Sequence, residues 1–384
     1  MSNKNKGKKK SSQYPFVSVC TPTFNRRPFI KTMLQCFRNQ DYPKSRIEWI
    51  IIDDGTDKVV DLITEANIPQ IQYISVENKM SLGAKRNFMH SKTKGSIIVY
   101  MDDDDYYPPQ RISHAVERLQ ERKDALCAGA SEIYVYFKHI NKMYQAGPYG
   151  PNHATAGTFA FRRELLDQTN YEDRAALAEE KHFLKNYTIP FVQLDPLKTI
   201  LVFSHTQNTF DKKKLLENPS TLFVESSKTV DMFIRNSDEE EIKNYFMRDI
   251  DNALKNYKAG DPILKPDVLV QMKEIEVKRD KMIEEAKKNG MGVQVMMRGA
   301  DGTERQLNHS EIVQLLKQQQ EDNKLKNDRI NQLQQTIENL RYELSQHENN
   351  SLRTLPKEEE ETEKVTSSII NIKANSILVP EIEC

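Results

Sequence analysis

The sequence predicts an α/β fold with a mostly parallel central sheet, followed by a largely helical C-terminal region. Three observations carry that expectation. From residue 15 to about 105, short apolar or β-branched runs alternate with segments of helical period, the order that builds a parallel sheet with helices on both faces. Two of the apolar runs, "WIIIDD" and "IIVYMDDDD", end in aspartates. Beyond about residue 225 the β-rich runs give way to charged sequence of helical period.

The elements follow in order. "FVSVC" is β-rich and reads as the first strand. "RRPFIKTMLQCFRNQ" is a helix with Phe29, Met33, Cys36 and Phe37 on one face. "RIEWIIID" is a buried strand, "KVVDLITEA" a short helix and "IQYISV" a third strand. "SLGAKRNFMHSK" is a helix with Ser81 at its N-cap, and "SIIVYM" a fourth strand. Further on, "LCAGASEIYVYF" is strand-like, "KMYQAG" can pair with it, and "TAGTFAFRRELL" is a strand entering a helix. "RAALAEEKHFLKN" reads as a helix and "TILVFSH" as a strand ending in a polar residue.

Domain boundaries follow from composition. Residues 1–14 form a polar, basic tail, 15–225 the α/β domain, and 226–309 a helical accessory region. That region includes a β-hairpin at "VQVMMRGADGTERQL", with Asp301-Gly302 at its turn. Residues 310–347 read as a coiled-coil helix, because Ile330, Leu333, Ile337, Leu340 and Leu344 step by three and four. Gln319, Asn323 and Lys326 interrupt the seam upstream, between it and Leu316 and Ile312. The alternative is one amphipathic helix packed on its own domain. Residues 348–384, with "KEEEETEK", read as a disordered tail.

The bulk numbers exclude several classes. The 384 residues carry 56 basic and 56 acidic side chains, so no global field argues for nucleic acid. Four scattered cysteines with no zinc spacing fit a reducing compartment. No apolar run approaches the roughly 20 residues that span a bilayer, and "MSNKNKGKKKSS" lacks the apolar core of a signal peptide. The expected location is the cytoplasm, or a host's cytoplasm if the source is a large virus.

The aspartates hold the chemistry. Four adjacent carboxylates repel one another, and each pKa rises unless a cation offsets the repulsion. Parallel sheets bind ligands at the carboxyl ends of their strands, and there the chain places Asp53, Asp54 and Asp102 to Asp105. Mg²⁺ or Mn²⁺ takes such oxygen ligands together with substrate phosphates. In an extended segment Asp102 and Asp104 point the same way. The bland alternative is an acidic turn at a strand end.

"VSVCTPTFNR", "WIIIDDGTD", "SLGAKRN" and "YMDDDDYYPP" together resemble glycosyltransferase family 2, of the GT-A fold. The resemblance covers about residues 15–210. It implies a metal-dependent inverting transfer of a sugar from a nucleotide sugar, expected to be a UDP-sugar, to an acceptor hydroxyl on a glycan or protein. By that resemblance Thr21, Pro22, Thr23, Phe24 and Arg26 line the nucleotide, and Asp54 or Asp53 meets the base. Lys85 or Arg86 sits near the phosphates, with Asn87 beside them. Asp102 touches ribose or metal, Asp103 ribose or sugar, and Asp104 the metal. Gly157 and Thr158 approach sugar or acceptor. Glu180 of "LAEEKHFL" stands where the family has its base, although aspartate is the common residue there; the bland reading is two solvated glutamates. His205 of "FSHTQNTFDKK" completes the metal shell or serves as a structural histidine, with Asn208 and Lys212 weaker candidates. Two competing readings are a non-catalytic scaffold acting through the coiled coil, and a sugar nucleotidyltransferase. The latter needs a glycine-rich phosphate loop, which "TPTFNRRPF" lacks. The partners expected are therefore a donor nucleotide sugar, an unidentified acceptor and a second copy of the chain through residues 310–347.

Overall fold

The computed structural model describes residues 14–177, 180–217 and 220–288, then 296–298, 304–306 and scattered positions from 311 to 340. The chain divides after Glu284 into two compact units.

The first unit opens with β1 (Val17–Thr23), α1 (Arg27–Arg38), β2 (Ile47–Asp53), α2 (Val60–Ala66), β3 (Ile71–Ser75), α3 (Leu82–Lys92) and β4 (Ile97–Tyr100). It continues with α4 (Arg111–Glu121), β5 (Cys127–Gly129), β6 (Ile133–Phe137), β7 (Lys142–Ala146), β8 (Ala160–Arg162), α5 (Glu180–Phe183), β9 (Phe191–Gln193) and β10 (Leu201–Phe203). Then come α6 (Lys214–Glu217), β11 (Phe223–Ser226), α7 (Glu240–Asn244), α8 (Ile250–Lys255) and α9 (Pro266–Lys288).

Among the described residues the main sheet has the order β3-β2-β1-β4-β8-β5-β9. The pairs β1–β2, β2–β3, β1–β4 and β5–β9 are parallel, while β8 runs antiparallel to both its neighbours. The predicted mostly parallel sheet is therefore present in a mixed α/β architecture. The chain moves outward from β1 through β2 to β3 and then returns to β4 on the other side of β1, so β1 and β4 flank a topological switch point. A second sheet has the order β10-β6-β7-β11.

Pleating distributes the core. Val17, Val19, Trp49 and Ile51 face one layer, with Phe29, Met33 and Phe37 of α1. Cys20, Ile50, Ile52, Ile98 and Tyr100 face the other, with Met89 of α3. All four α1 residues expected on one face are buried. Each fully buried aliphatic or aromatic side chain contributes about 1.5–3 kcal/mol. Ser81 caps α3 by accepting from the Ala84 N–H at 3.4 Å. Cys20, Cys36 and Cys127 are buried and unbridged; Cys384 lies outside the described residues.

Three local readings change. The segment 174–186 is not one long helix: α5 covers four residues, and Lys185, Asn186 and Tyr187 have left-handed backbones. The 163–167 stretch forms 3₁₀ turns rather than a regular helix. Helix α4, which the sequence reading passed over, buries Ile112, Ala115, Val116 and Leu119.

The residues after 225 contribute to the first unit's core. Val230, Phe233, Ile242, Phe246, Ile250 and Leu254 belong to the same cluster as α1. Glu239 accepts from Tyr106 Oη at 3.1 Å and Asn39 Nδ2 at 3.4 Å.

In the second unit, Met296–Arg298 pairs antiparallel with Glu304–Gln306, matching the expected hairpin; its Asp301-Gly302 turn lies outside the described residues. Of the coiled-coil stripe, Leu333, Ile337 and Leu340 are helical and exposed. Ile312, Leu316, Asn323, Ile330 and Leu344 lie outside the described residues, as do the N-terminal tail and residues 341–384.

Candidate functional site

Turns that leave β1 and β4 and the start of α3 converge on one cavity of about 150 Å³. Pro22 and Thr23 line it from the end of β1, Phe24 and Arg26 from just beyond, Lys85 and Arg86 from α3, and Asp102, Asp103 and Asp104 after β4. The carboxylates thus meet at the switch point, where β1 and β4 part.

The aspartates reach it by a bend, not by strand alternation. Consecutive Asp102, Asp103 and Asp104 all line the cavity. Asp105 does not; its Oδ1 is buried without a hydrogen-bond partner, and burial, reinforced by Asp104, pushes its pKa well up. Arg26 bridges its neighbours, with Nε 3.5 Å from Asp103 Oδ1 and Nη2 3.2 Å from Asp104 Oδ2. Burial raises the Asp103 carboxyl to about 7, with Arg26 opposing and Asp104 adding to the rise. Burial also opposes ionisation of Asp104, but Arg26 and His205 outweigh it and hold that carboxyl well below the usual range. One ionised carboxylate beside a partly protonated one is how adjacent aspartates coexist.

His205, just past β10, lies with Nε2 3.3 Å from Asp104 Oδ2. Asn208 holds His205 at two points: Oδ1 accepts from the His205 backbone N–H at 2.8 Å, and Nδ2 lies 2.7 Å from the ring Nε2. Burial pushes the imidazole down to about 4, against the pull of Asp104, so the ring is neutral near pH 7. Two carboxylates and a neutral imidazole are a donor set suited to Mn²⁺ or Mg²⁺. Among the described residues no three such side chains already converge on one point, and these ions ordinarily take further ligands from substrate phosphates.

Of the other expected site residues, Thr21, Asp53, Asp54 and Asn87 do not line the cavity. Thr21 Oγ1 donates to the Met101 carbonyl at 2.6 Å and accepts from Trp49 Nε1 at 2.9 Å, tying β1 to its neighbours. Asp53 accepts from the N–H groups of Gly55 and Val59 and from Tyr73 Oη, at 2.9, 3.1 and 2.6 Å; it organises the turn into α2. Asp54 accepts from the Met80 N–H at 2.6 Å and pairs with Lys85. Burial, opposed by Asp54, lowers the Lys85 pKa. Arg86 is buried, its guanidinium 4.4 Å from the Tyr100 ring centre and 5.4 Å from that of Tyr171. Asn87 holds the 171–173 segment, donating to the Tyr171 carbonyl at 2.9 Å and Asp173 Oδ1 at 2.8 Å.

Gly157 abuts the acidic wall: a Cβ there would lie 2.7 Å from Asp102 Oδ2. Its carbonyl accepts from Tyr107 Oη at 3.1 Å, and that hydroxyl accepts from the Asp102 N–H at 2.8 Å. Thr158 is structural, donating to the Thr155 carbonyl at 2.6 Å and accepting from the Ala130 N–H at 3.0 Å. Glu180 opens α5 and is half-buried. It does not line the cavity, but its charge adds to burial in raising the Tyr187 hydroxyl pKa. Glu179 lies outside the described residues.

The cavity also has residues that the sequence reading missed. Lys79 and Met80 precede α3, and Thr209, Lys265, Asp267 and Val268 come from segments beyond β10. Burial and the nearby Arg26 push Lys265 down to about 7, with Asp104 and Asp103 opposing. Nothing local marks Lys265 in a charged region; only tertiary packing brings it to the site.

Comparison with known proteins bears on the same residues. The family model "Glycosyl transferase family 2" matches residues 18–177. The poly(ribitol-phosphate) beta-N-acetylglucosaminyltransferase TarS of Staphylococcus aureus is 27% identical over 107 residues, 27% of this chain and 19% of TarS. The poly(ribitol-phosphate) beta-glucosyltransferase of Bacillus spizizenii is 31% identical over 117 residues, 29% of this chain and 18% of that enzyme. The match therefore spans about a fifth of each relative's length. The mannosyltransferase PcManGT from Pyrobaculum calidifontis, solved with GDP-Man and Mn²⁺, is 15% identical with a TM-score of 0.42, over 69% of this chain and 81% of that one.

Proposed function

Because residues 18–177 belong to glycosyl transferase family 2, we propose that this protein moves a sugar from a nucleotide sugar to an acceptor hydroxyl, with inversion at the anomeric carbon. The observation that carries this reading is the cavity at the switch point, with Asp102, Asp103 and Asp104 on one side and Arg26 and Lys85 among them. A nucleoside diphosphate is an anion, and beside three aspartates it needs the basic groups of the cavity and a divalent metal to offset the repulsion between them.

The donor proposed is a UDP-sugar. The pyrimidine would lie near Thr23 and Phe24, and the diphosphate near Arg26. Asp104, Asp102 and His205 would hold Mn²⁺ or Mg²⁺. Bound there, the ion would supply positive charge at the diphosphate, as Lewis-acid stabilisation of a leaving group requires. Arg26 orients Asp103 and Asp104, and Asn208 fixes the ring of His205. Glu180 is proposed as the base that takes the acceptor's hydroxyl proton, leaving the oxygen to attack the anomeric carbon from the face opposite the diphosphate. No helix among the described residues is long and apolar enough to cross a membrane.

The test is a panel of nucleotide sugars incubated with the full-length protein and Mn²⁺, read as release of nucleoside diphosphate. Release from one donor, abolished by chelator, is the expected result. No release from any donor, together with no binding of UDP or GDP, would overturn the reading.

A further inference from the structure

We propose that Lys265, at the entry to α9 and outside the family-matched span, is a binding residue for the donor's diphosphate. The proposal rests on the reading of the cavity as a nucleotide-sugar site. It starts from an imbalance among the cations that line that cavity. Arg26 is engaged by Asp103 and Asp104, Lys85 by Asp54, and Lys79 by Asp267. Lys265 is 7% exposed, and its Nζ donates to Thr209 Oγ1 at 3.0 Å. An ammonium carries three donors. Among the described residues no carboxylate lies within ion-pair distance of Lys265, and no second acceptor takes its hydrogens. A buried charge without a partner is costly. An anion entering the cavity removes that cost, and the cavity wall is where Lys265 stands.

The position of Lys265 is built, not incidental. Asn25, from the turn after β1, donates from Nδ2 to the Ala259 carbonyl at 2.9 Å. Gln207 donates from Nε2 to the Tyr257 carbonyl at 2.6 Å, and Tyr257 Oη donates to Asp57 Oδ2 at 2.8 Å. Gly260 lets the backbone pass close to the site: a Cβ there would lie 2.1 Å from Gln207 Oε1 and 3.0 Å from the Asn25 carbonyl oxygen. Pro266 follows at once, which narrows the backbone of Lys265. The Lys265 carbonyl accepts from the N–H groups of Val268 and Leu269 at 3.1 and 3.2 Å. One turn into α9, Gln271 Oε1 accepts from the Ala176 and Leu177 N–H groups at 2.9 and 3.2 Å, on the segment that leads to Glu180. The 257–271 segment thus brings Lys265, Asp267 and Val268 to the cavity, where an entering anion would hold the Lys265 amine in its charged form.

In transfer, the bond from the anomeric carbon to the terminal phosphate oxygen breaks and its electron pair stays on that oxygen. The departing diphosphate therefore gains negative charge, and a fixed cation binds it more strongly than it binds the donor. Lys265 discriminates diphosphate from monophosphate by the same charge.

Calorimetry on the full-length protein with Mn²⁺ tests this, with UDP and UMP as probes against wild type, Lys265→Met and Lys265→Arg. Lys265→Met should weaken UDP binding by about 10-fold or more, the scale of a charged hydrogen bond. UMP affinity should change by less than about 2-fold on the same scale of effects, which also reports an intact fold. Lys265→Arg should recover most of the UDP affinity. Equal weakening of UDP and UMP, or UDP binding unchanged in Lys265→Met, overturns the role of Lys265. Wild-type protein that binds neither nucleotide overturns the nucleotide reading of the cavity, and this proposal with it.

Discussion

Glu180 and His90 show how differently two titratable residues bear on function and stability. Glu180 is proposed to act in the chemical step and not in holding the nucleotide. Glu180→Gln is therefore expected to keep UDP affinity while lowering the transfer rate by about 10²-fold or more, the scale for loss of a general base. Calorimetry paired with a transfer assay checks it, and a variant that still transfers at the wild-type rate moves the base elsewhere. His90, in α3, is buried against Tyr100, whose Oη lies 2.6 Å from Nε2. Burial, helped by Arg86 and Arg163, pushes the imidazole from 6.5 down to about 3. Above pH 6.5 both folded and unfolded chains hold it neutral. As pH falls below 6.5 the unfolded chain takes a proton that the folded one refuses, so stability is lost down to about pH 3. His90→Gln lacks this uptake. Between pH 7 and pH 5 the stability difference between wild type and variant should shift by about 2 kcal/mol in the variant's favour, measured by denaturant unfolding. A difference that stays constant across that range would show that His90 titrates normally.

At the scale of elements, α3 matters because it delivers Lys85 and Arg86 to the cavity. Its start is set by Ser81, which accepts from the Ala84 N–H and donates to the Asp173 carbonyl. One side chain therefore caps the helix and ties it to the segment before Glu180. Ser81→Ala is expected to cost about 1 kcal/mol of stability, as loss of an N-cap does, and to weaken UDP binding as the first turn of α3 loosens. A shifted denaturation midpoint with an unchanged slope is the readout; an unmoved midpoint would mean that the cap carries no weight. This element was legible in the sequence, because a serine before a helix-period run has one common use. Helix α5 was not. The run "RAALAEEKHFLKN" has helical composition, but the helix ends at Phe183, and Lys185, Asn186 and Tyr187 take left-handed backbones.

At the scale of the whole molecule, the C-terminal stripe suggests self-association. Leu333, Ile337 and Leu340 are helical and half exposed, the spacing of a coiled-coil seam. Leu333→Asp with Ile337→Asp should convert a full-length dimer or trimer to monomer at micromolar concentration, followed by light scattering, and leave nucleotide binding as it was. A wild-type protein that is already monomeric discards the seam. The change belongs in the full chain. The core of the first unit takes in Val230, Phe233, Phe246 and Leu254, so truncation at residue 225 would remove core packing as well as the stripe.

The sequence by itself determined the alternation of β1 through β4, the buried face of α1, the Ser81 cap and the clustering of acids at strand ends. These are local properties: period, propensity and the residue that follows an apolar run. It also carried the family resemblance, since four short stretches keep their order along the chain. Tertiary structure decided which acids reach the cavity. Asp53 and Asp54 are adjacent and both follow β2, yet one is consumed by the turn into α2 and the other by Lys85. Asp102 to Asp104 share one wall because the chain bends, while Asp105 turns away. The place of Lys265 was hidden from the sequence for a simple reason. Lys265 lines the same cavity as Arg26 and Asp104 although it stands well over a hundred residues away from either in the sequence, and such a meeting has no periodicity, only a place in space.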